Sequence, residues 1–226
     1  MNIKIKRDLL AIYLLAIAVL ITISLISIYF HLPIHFFTRD VTTQANISPF
    51  SGVLSNLGIY LWCVAATASF FAAMLLRNRN QTEPLPFLFS SACLTTYLML
   101  DDAFLIHDSI VPVHIGVGEK AVYLVLAIAV LLYLVFFMAT ILRTNYVPLI
   151  LAFAFLSSSV VIDSIFESWL VLQIGHWKSI IEDGAKWLGI VSWCIYHVQT
   201  AFSFIIQTCT SPEVANEGRT YRASSE

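Results

Sequence analysis

Seven ionisable residues fall in or beside long apolar runs of the sequence: Asp101, Asp102, Asp163, Glu167, Glu182, Asp183 and Lys186. A charge in hydrocarbon is costly, so such a residue is by default a candidate for binding, proton transfer or catalysis. Leu100-Asp-Asp-Ala-Phe-Leu-Ile-His-Asp108 puts two adjacent carboxylates near a helix end, with His107 just beyond. Residues seven apart share a helix face, which aligns Asp101 with Asp108 and points Asp102 about 100° away. Two neighbouring carboxylates repel each other and lose hydration, a cost that the fold has to offset. Asp163 and Glu167, four apart, share a second face. Asp163 is expected about nine residues inside its span, roughly 13 Å of helical rise, too deep for so short a side chain to reach water. Glu182 and Lys186 are four apart in the favourable order for an ion pair. Glu182 and Asp183 also suit a helix N-terminus, where the dipole favours acids. Lys186 lies a turn further in and can balance Asp102, Asp163 or Glu167 across helices. Gly184 and Gly189 would let another helix approach closely.

Carboxylates and imidazoles from separate helices are the donors that zinc or calcium takes. The expected ligand set is Asp102, His107, Asp163 and Glu167, around a divalent metal ion or a polar ligand. Asp102, Asp163 and Glu167 are then the candidate acid or base groups of a membrane-embedded hydrolase. Asp101, Glu182, Asp183 and Lys186 are candidate ligand-binding residues, with Lys186 gripping an anionic head group. His197, deep in the last run below Lys186, Ile190 and Trp193, reads as a neutral hydrogen-bonding partner between helices. No H-E-x-x-H, no E-x-x-H and no nucleophile motif accompanies these residues. Leu100-Asp-Asp-Ala-Phe-Leu-Ile106 resembles the L-D-E stretch in a helix of alkaline ceramidases, a family of seven-helix zinc hydrolases. The likeness covers fewer than ten residues, and the last apolar run here lacks the H-x-x-x-H pair that the family carries on its last helix, so no zinc ligand is carried over.

Two other readings stay open. Buried acids with a lysine are also the vocabulary of a proton- or cation-coupled transporter. The inner halves of the runs, however, hold almost no ionisable groups, and no inverted repeat is evident. In a non-catalytic membrane subunit, by contrast, the same charges would pair internally and dock a partner protein or a lipid.

The elements that must position these residues are read from hydropathy. Hydrophobic residues make up 59% of the chain and charged residues 12%, about half the charge of a soluble domain. Runs of about 20 apolar residues read as membrane-spanning helices. Six are expected, at Leu9–Phe30, Val53–Leu76, Leu85–Ile106, Lys120–Leu142, Val147–Leu172 and Ile181–Ile206. The expected fold is an all-α six-transmembrane-helix bundle over residues 1–206, followed by a flexible tail at 207–226. The first run is too long for a signal-peptide core and has no small-x-small cleavage site. Lys and Arg divide eight against four in favour of the N-terminal side, which puts both termini in the cytoplasm, of a bacterial inner membrane. Most acids and five of the six histidines then fall at the outer end. The longest outer connection, His31 to Gly52, is either a lid or a flexible loop held by aromatics. A net charge of −2 gives no basic surface for nucleic acid. The expected partners are the bilayer, a lipid or amphipathic small molecule, and a second copy or another membrane protein. Cys63, Cys93, Cys194 and Cys209 are scattered without C-x-x-C, against a disulfide framework or thiol exchange.

Overall fold

The computed structural model describes residues 3–79 and 81–210; the side chains of residues 3–9, 11, 12, 15, 108, 119, 120, 164, 167, 168, 174, 176 and 209 lie outside that description. Of the expected flexible tail at 207–226, residues 207–210 are helical, and residues 211–226 lie outside the described residues. The described chain is all-helical, without strands.

It divides into two compact units, Met1–Gly52 and Val53–Glu226. The first unit holds α1 (Ile3–Tyr29), α2 (His35–Thr38) and α3 (Val41–Ala45). The connection after α1 is therefore partly helical. Its turns are tied by the Gln44 side-chain amide, which donates to the carbonyls of His35 at 2.8 Å and Arg39 at 3.0 Å.

The second unit holds α4 (Val53–Asn78), α5 (Leu85–Phe104), a π-turn (Ile106–Ile110), α6 (Val111–Ile115), α7 (Glu119–Ile141), α8 (Val147–Ser164), α9 (Glu167–Ile174), a 3₁₀ turn (Gly175–Trp177) and α10 (Lys178–Thr210). α10 is the spine, packing on α8 and on α4, while α4 packs on α5. The α4 contact face is built from Gly58, Ala65, Ala66, Ser69, Ala72 and Ala73, all buried. Small residues at three- and four-residue spacing let backbones come close and gain dispersion contacts along their length. Gly189 does the same for α10: a Cβ there would sit 2.6 Å from Leu156 Cγ and 3.0 Å from the Leu156 backbone nitrogen. Gly184 does not share this role, because a Cβ there would meet nothing within 4 Å. α7 joins through α5: the Ser91 and Tyr133 hydroxyls lie 2.7 Å apart, and Phe87 stacks on Tyr133.

Among the described residues, three helices, not the expected six, are long and apolar enough to cross a membrane: Val53–Asn78, Ala121–Ile141 and Lys178–Thr208. Ala16–Tyr29 and Val147–Asp163 are shorter apolar helices. Two expected runs are interrupted. α5 ends where Leu105 turns left-handed at φ 51°, before Ile106. The expected helix through Leu172 breaks after Ser164 and resumes at Glu167. The break follows Ser157-Ser-Ser-Val-Val-Ile162, whose β-branched residues are weak helix formers. Ser157 and Ser158 also back-bond to the carbonyls of Phe153 and Phe155, which bends helices. α10, in contrast, starts three residues earlier than the apolar pattern indicates, at Lys178.

Candidate functional site

The break at Leu105 creates the first functional contact. The chain leaves α5 and turns back, so the His107 backbone N–H reaches Asp101 Oδ1 at 3.0 Å. The His107 ring Nδ1 meets Asp101 Oδ2 at 2.5 Å, and the ring packs on Tyr123 with centroids 4.8 Å apart. One carboxylate thus caps a helix end and orients an imidazole. The seven-residue spacing of Asp101 and Asp108 does not run through one α-helix, because Leu105 interrupts it; the Asp108 side chain lies outside the described residues.

Asp102 faces the α4/α10 interface instead. Its Oδ1 accepts from the Lys186 ammonium. Its Oδ2 is buried without a hydrogen-bond partner, and a Cβ at Gly58 would lie 3.9 Å from that oxygen. The two partners differ sharply in access: the Asp102 side chain is 8% exposed and the Lys186 side chain 41%.

A second lysine serves the other acids. Lys178 Nζ lies 2.6 Å from Glu182 Oε2 and 3.6 Å from Asp163 Oδ1, with 10% of its side chain exposed. This corrects three expectations. Glu182 pairs with Lys178 rather than Lys186, because α10 begins early enough to put Lys178 one turn before it. For the same reason Glu182 and Asp183 are not in the first turn of the helix. Asp163 is not far inside a span: α8 ends at Ser164, so Asp163 sits in the last turn, 39% exposed and within reach of Lys178. Asp163 and Glu167 also lie on two different helices, α8 and α9; the Glu167 side chain, like those of Lys120 and His176, lies outside the described residues. Asp183 borders a shallow hollow of about 410 Å³ with Leu54, Trp177, Ser179 and Ile180.

The expected ligand set is therefore distributed over separate pairs. Asp102 belongs to Lys186, Asp101 to His107, and Asp163 to Lys178. The two lysines are eight residues apart on α10, about 12 Å of helical rise. Among the described residues, no three His, Cys, Asp or Glu side chains converge on a point where they could hold a metal ion.

Deeper in the same interface lie two more buried polar atoms without hydrogen-bond partners, Trp62 Nε1 and His197 Nε2. The rings around them form an aromatic cluster: Trp193 meets Trp62 edge-on at 5.7 Å and lies tilted against His197 at 4.8 Å. Trp193 itself is satisfied, donating to Thr95 Oγ1 at 3.0 Å. His197 is packed rather than hydrogen-bonded, against the expectation of a polar partner across helices. Cys194 is buried, while Cys63 and Cys93 are exposed.

An open cleft lies at the opposite end of α10. A cleft of about 650 Å³ is bordered by the α4–α5 connection (Gln81, Glu83), the α7–α8 connection (Arg143, Thr144, Asn145) and the last turns of α10. Its lining is mostly neutral and polar, so a search for intramembrane charge passes over it. The sequence signal that could have found it is the run of amides and hydroxyls Gln199, Thr200, Ser203, Gln207 and Thr208 on one helix.

In comparisons with known proteins, a family described as a domain of unknown function, DUF8692, matches residues 11–200. No curated protein and no solved structure matches the chain.

Proposed function

The chain belongs to the DUF8692 family, whose description carries no activity, and from its geometry we propose that it is an integral membrane protein that binds a small anionic ligand at its outer end through Lys186. Its core spans are Val53–Asn78, Ala121–Ile141 and Lys178–Thr208; in this reading the shorter apolar helices complete a bundle of six, with both termini in the cytoplasm of an inner membrane. The apolar surface of α7, including Leu124, Leu131, Val135 and Phe136, is exposed, as suits a helix bathed in lipid tails. Surface patches of that size are unusual on a soluble monomer.

One observation carries the reading: the ion pair is lopsided. Lys186 is accessible and Asp102 is not. A diffusing ligand meets the ammonium first. Asp102 is then the resting counter-ion, which holds Lys186 in place until a ligand carboxylate or phosphate replaces it. The Lys178 cluster, with its lysine buried, fastens α8 to α10 and does not take part.

The test is anion binding by purified full-length protein in detergent micelles, read calorimetrically with phosphate and with succinate. Asp102 competes with the ligand for Lys186, so Asp102→Asn should tighten binding on the order of tenfold, about 1.4 kcal/mol. Lys186→Arg should keep it, because the charge remains. Unchanged or weaker binding in Asp102→Asn, or no anion bound by any form, would overturn the proposal.

The Asp101–His107 contact supports a second reading. A carboxylate on Nδ1 orients the ring, as it does where histidine serves as a general base. In that reading the outer end is hydrolytic, and His107→Gln abolishes turnover of an ester substrate while leaving anion binding by Lys186 intact.

A further inference from the structure

We infer that the cleft at the C-terminal end of α10 is a binding site for a zwitterionic group, an ammonium and an anionic oxygen cluster a few ångströms apart. This does not rest on the Lys186 proposal. Gln199 lies thirteen residues from Lys186, about 20 Å along the helix.

A hydroxyl has one proton and two lone pairs. Thr144 spends its proton on the Ile141 carbonyl at 2.7 Å, Ser203 on that of Gln199 at 2.8 Å, and Thr208 on that of Phe204 at 2.9 Å. Each of these lining hydroxyls is left as an acceptor. Tyr196, whose OH lies 3.2 Å from Thr144 Oγ1, must then be the donor in that contact. These three hydroxyls therefore ask for N–H or O–H donors from whatever fills the cleft, beside the amides of Gln81, Asn145 and Gln199, which can donate as well as accept.

The charges add a second requirement. Arg143 and Glu83 both border the cleft. Their charged ends lie 3.6 Å apart, with side chains 79% and 89% exposed. A pair so exposed is weak, because water screens it and two long side chains lose freedom to hold it, and it can open at little cost. A ligand that brings its own ammonium to Glu83 and its own anion to Arg143 replaces one weak ion pair by two charge-assisted contacts. A purely anionic ligand would leave Glu83 facing it; a purely cationic one would leave Arg143.

An aminoethyl phosphate has this chemistry, either as a lipid head group or as a free molecule. The lipid arm of the test incorporates the full-length protein into bicelles containing phosphatidylethanolamine, phosphatidylcholine or phosphatidylglycerol in turn, and measures co-purifying lipid by mass spectrometry. Phosphatidylcholine has the charge but no N–H to donate, and phosphatidylglycerol has no ammonium. Retention of phosphatidylethanolamine should exceed both by about tenfold, the effect of one charge-assisted hydrogen bond. The soluble arm titrates glycerophosphoethanolamine into the detergent-solubilised protein; binding there assigns the site to the free head group. Glu83→Gln and Arg143→Gln, both at exposed positions, should each abolish the preference without loss of fold. Equal retention of the three lipids with no binding of the soluble probe overturns the inference, and so does a preference that survives both substitutions.

Discussion

The two ends of α10 handle polarity in opposite ways. At the Lys178–Lys186 end, side chains carry full charges and are turned on one another: Lys178 holds Glu182 and Asp163, and Lys186 holds Asp102. At the Gln199–Thr208 end, side chains are neutral, hydrogen-bond their own helix, and border an open volume of about 650 Å³. Full charges cannot be left facing an apolar interior, so they recruit partners and close the space between helices. Hydroxyls can satisfy their one proton on the preceding turn and tolerate a void beside them. The conspicuous groups are therefore the less available ones, and the quiet groups surround the space.

Substitutions at the two ends test this contrast. Lys186→Met should have the largest effect. It strands Asp102, already missing a partner for Oδ2, and should cost about 3 kcal/mol. The check is the midpoint of unfolding by SDS titration in mixed micelles, and the double variant Lys186→Met/Asp102→Leu should recover most of the loss. If the single variant is as stable as the parent, the pair is not what closes this end.

Gly189→Ala comes next, at about 2 kcal/mol, because the new Cβ meets the Leu156 side chain and backbone and over-packing costs that much. The same assay should show no loss for Gly184→Ala, where nothing lies within 4 Å. Equal losses at the two glycines would contradict the α8–α10 approach described above.

Asp102→Asn should destabilise by only about 1 kcal/mol, since Lys186 can swing into water once released. The ordering is the point: removing the exposed lysine should harm more than removing the charge of the buried acid. A larger loss for Asp102→Asn than for Lys186→Met would reverse the assignment of which partner is hidden. The smallest effect belongs to the other end. Glu83→Gln should change stability by less than about 0.5 kcal/mol, and a cooperative loss there would mean that the Arg143–Glu83 contact holds the connections together.

Much of the helical content was legible in the residues. The starts of α4, α5 and α8 fall where expected, with Pro86 and Pro148 in the first turns of the latter two, where a missing N–H does no harm. The small-residue face Ala65, Ser69, Ala72 and Ala73 is buried as its spacing predicts. The extra turn of α10 was harder to see, because Lys178 is polar and the apolar pattern starts later. The break after Ser164 was hidden by its flanks, since Val160, Val161, Ile162 and Ile165 look like uninterrupted span while favouring helix weakly.

By itself the sequence determined that the chain is helical, that several helices are apolar throughout, and which few residues carry charge among them. Those are local properties, written in composition and in three- and four-residue spacing. Packing between helices sets the rest: Lys186 takes Asp102, Lys178 takes Glu182 and Asp163, Asp101 turns back to His107, and a cleft of about 650 Å³ opens away from all of them. Pairing depends on the rotation and height of one helix against another, and a single left-handed residue at Leu105 or one added turn at Lys178 redirects it. No spacing within a helix encodes that relation, because it is fixed by how closely glycine and alanine let separate helices approach.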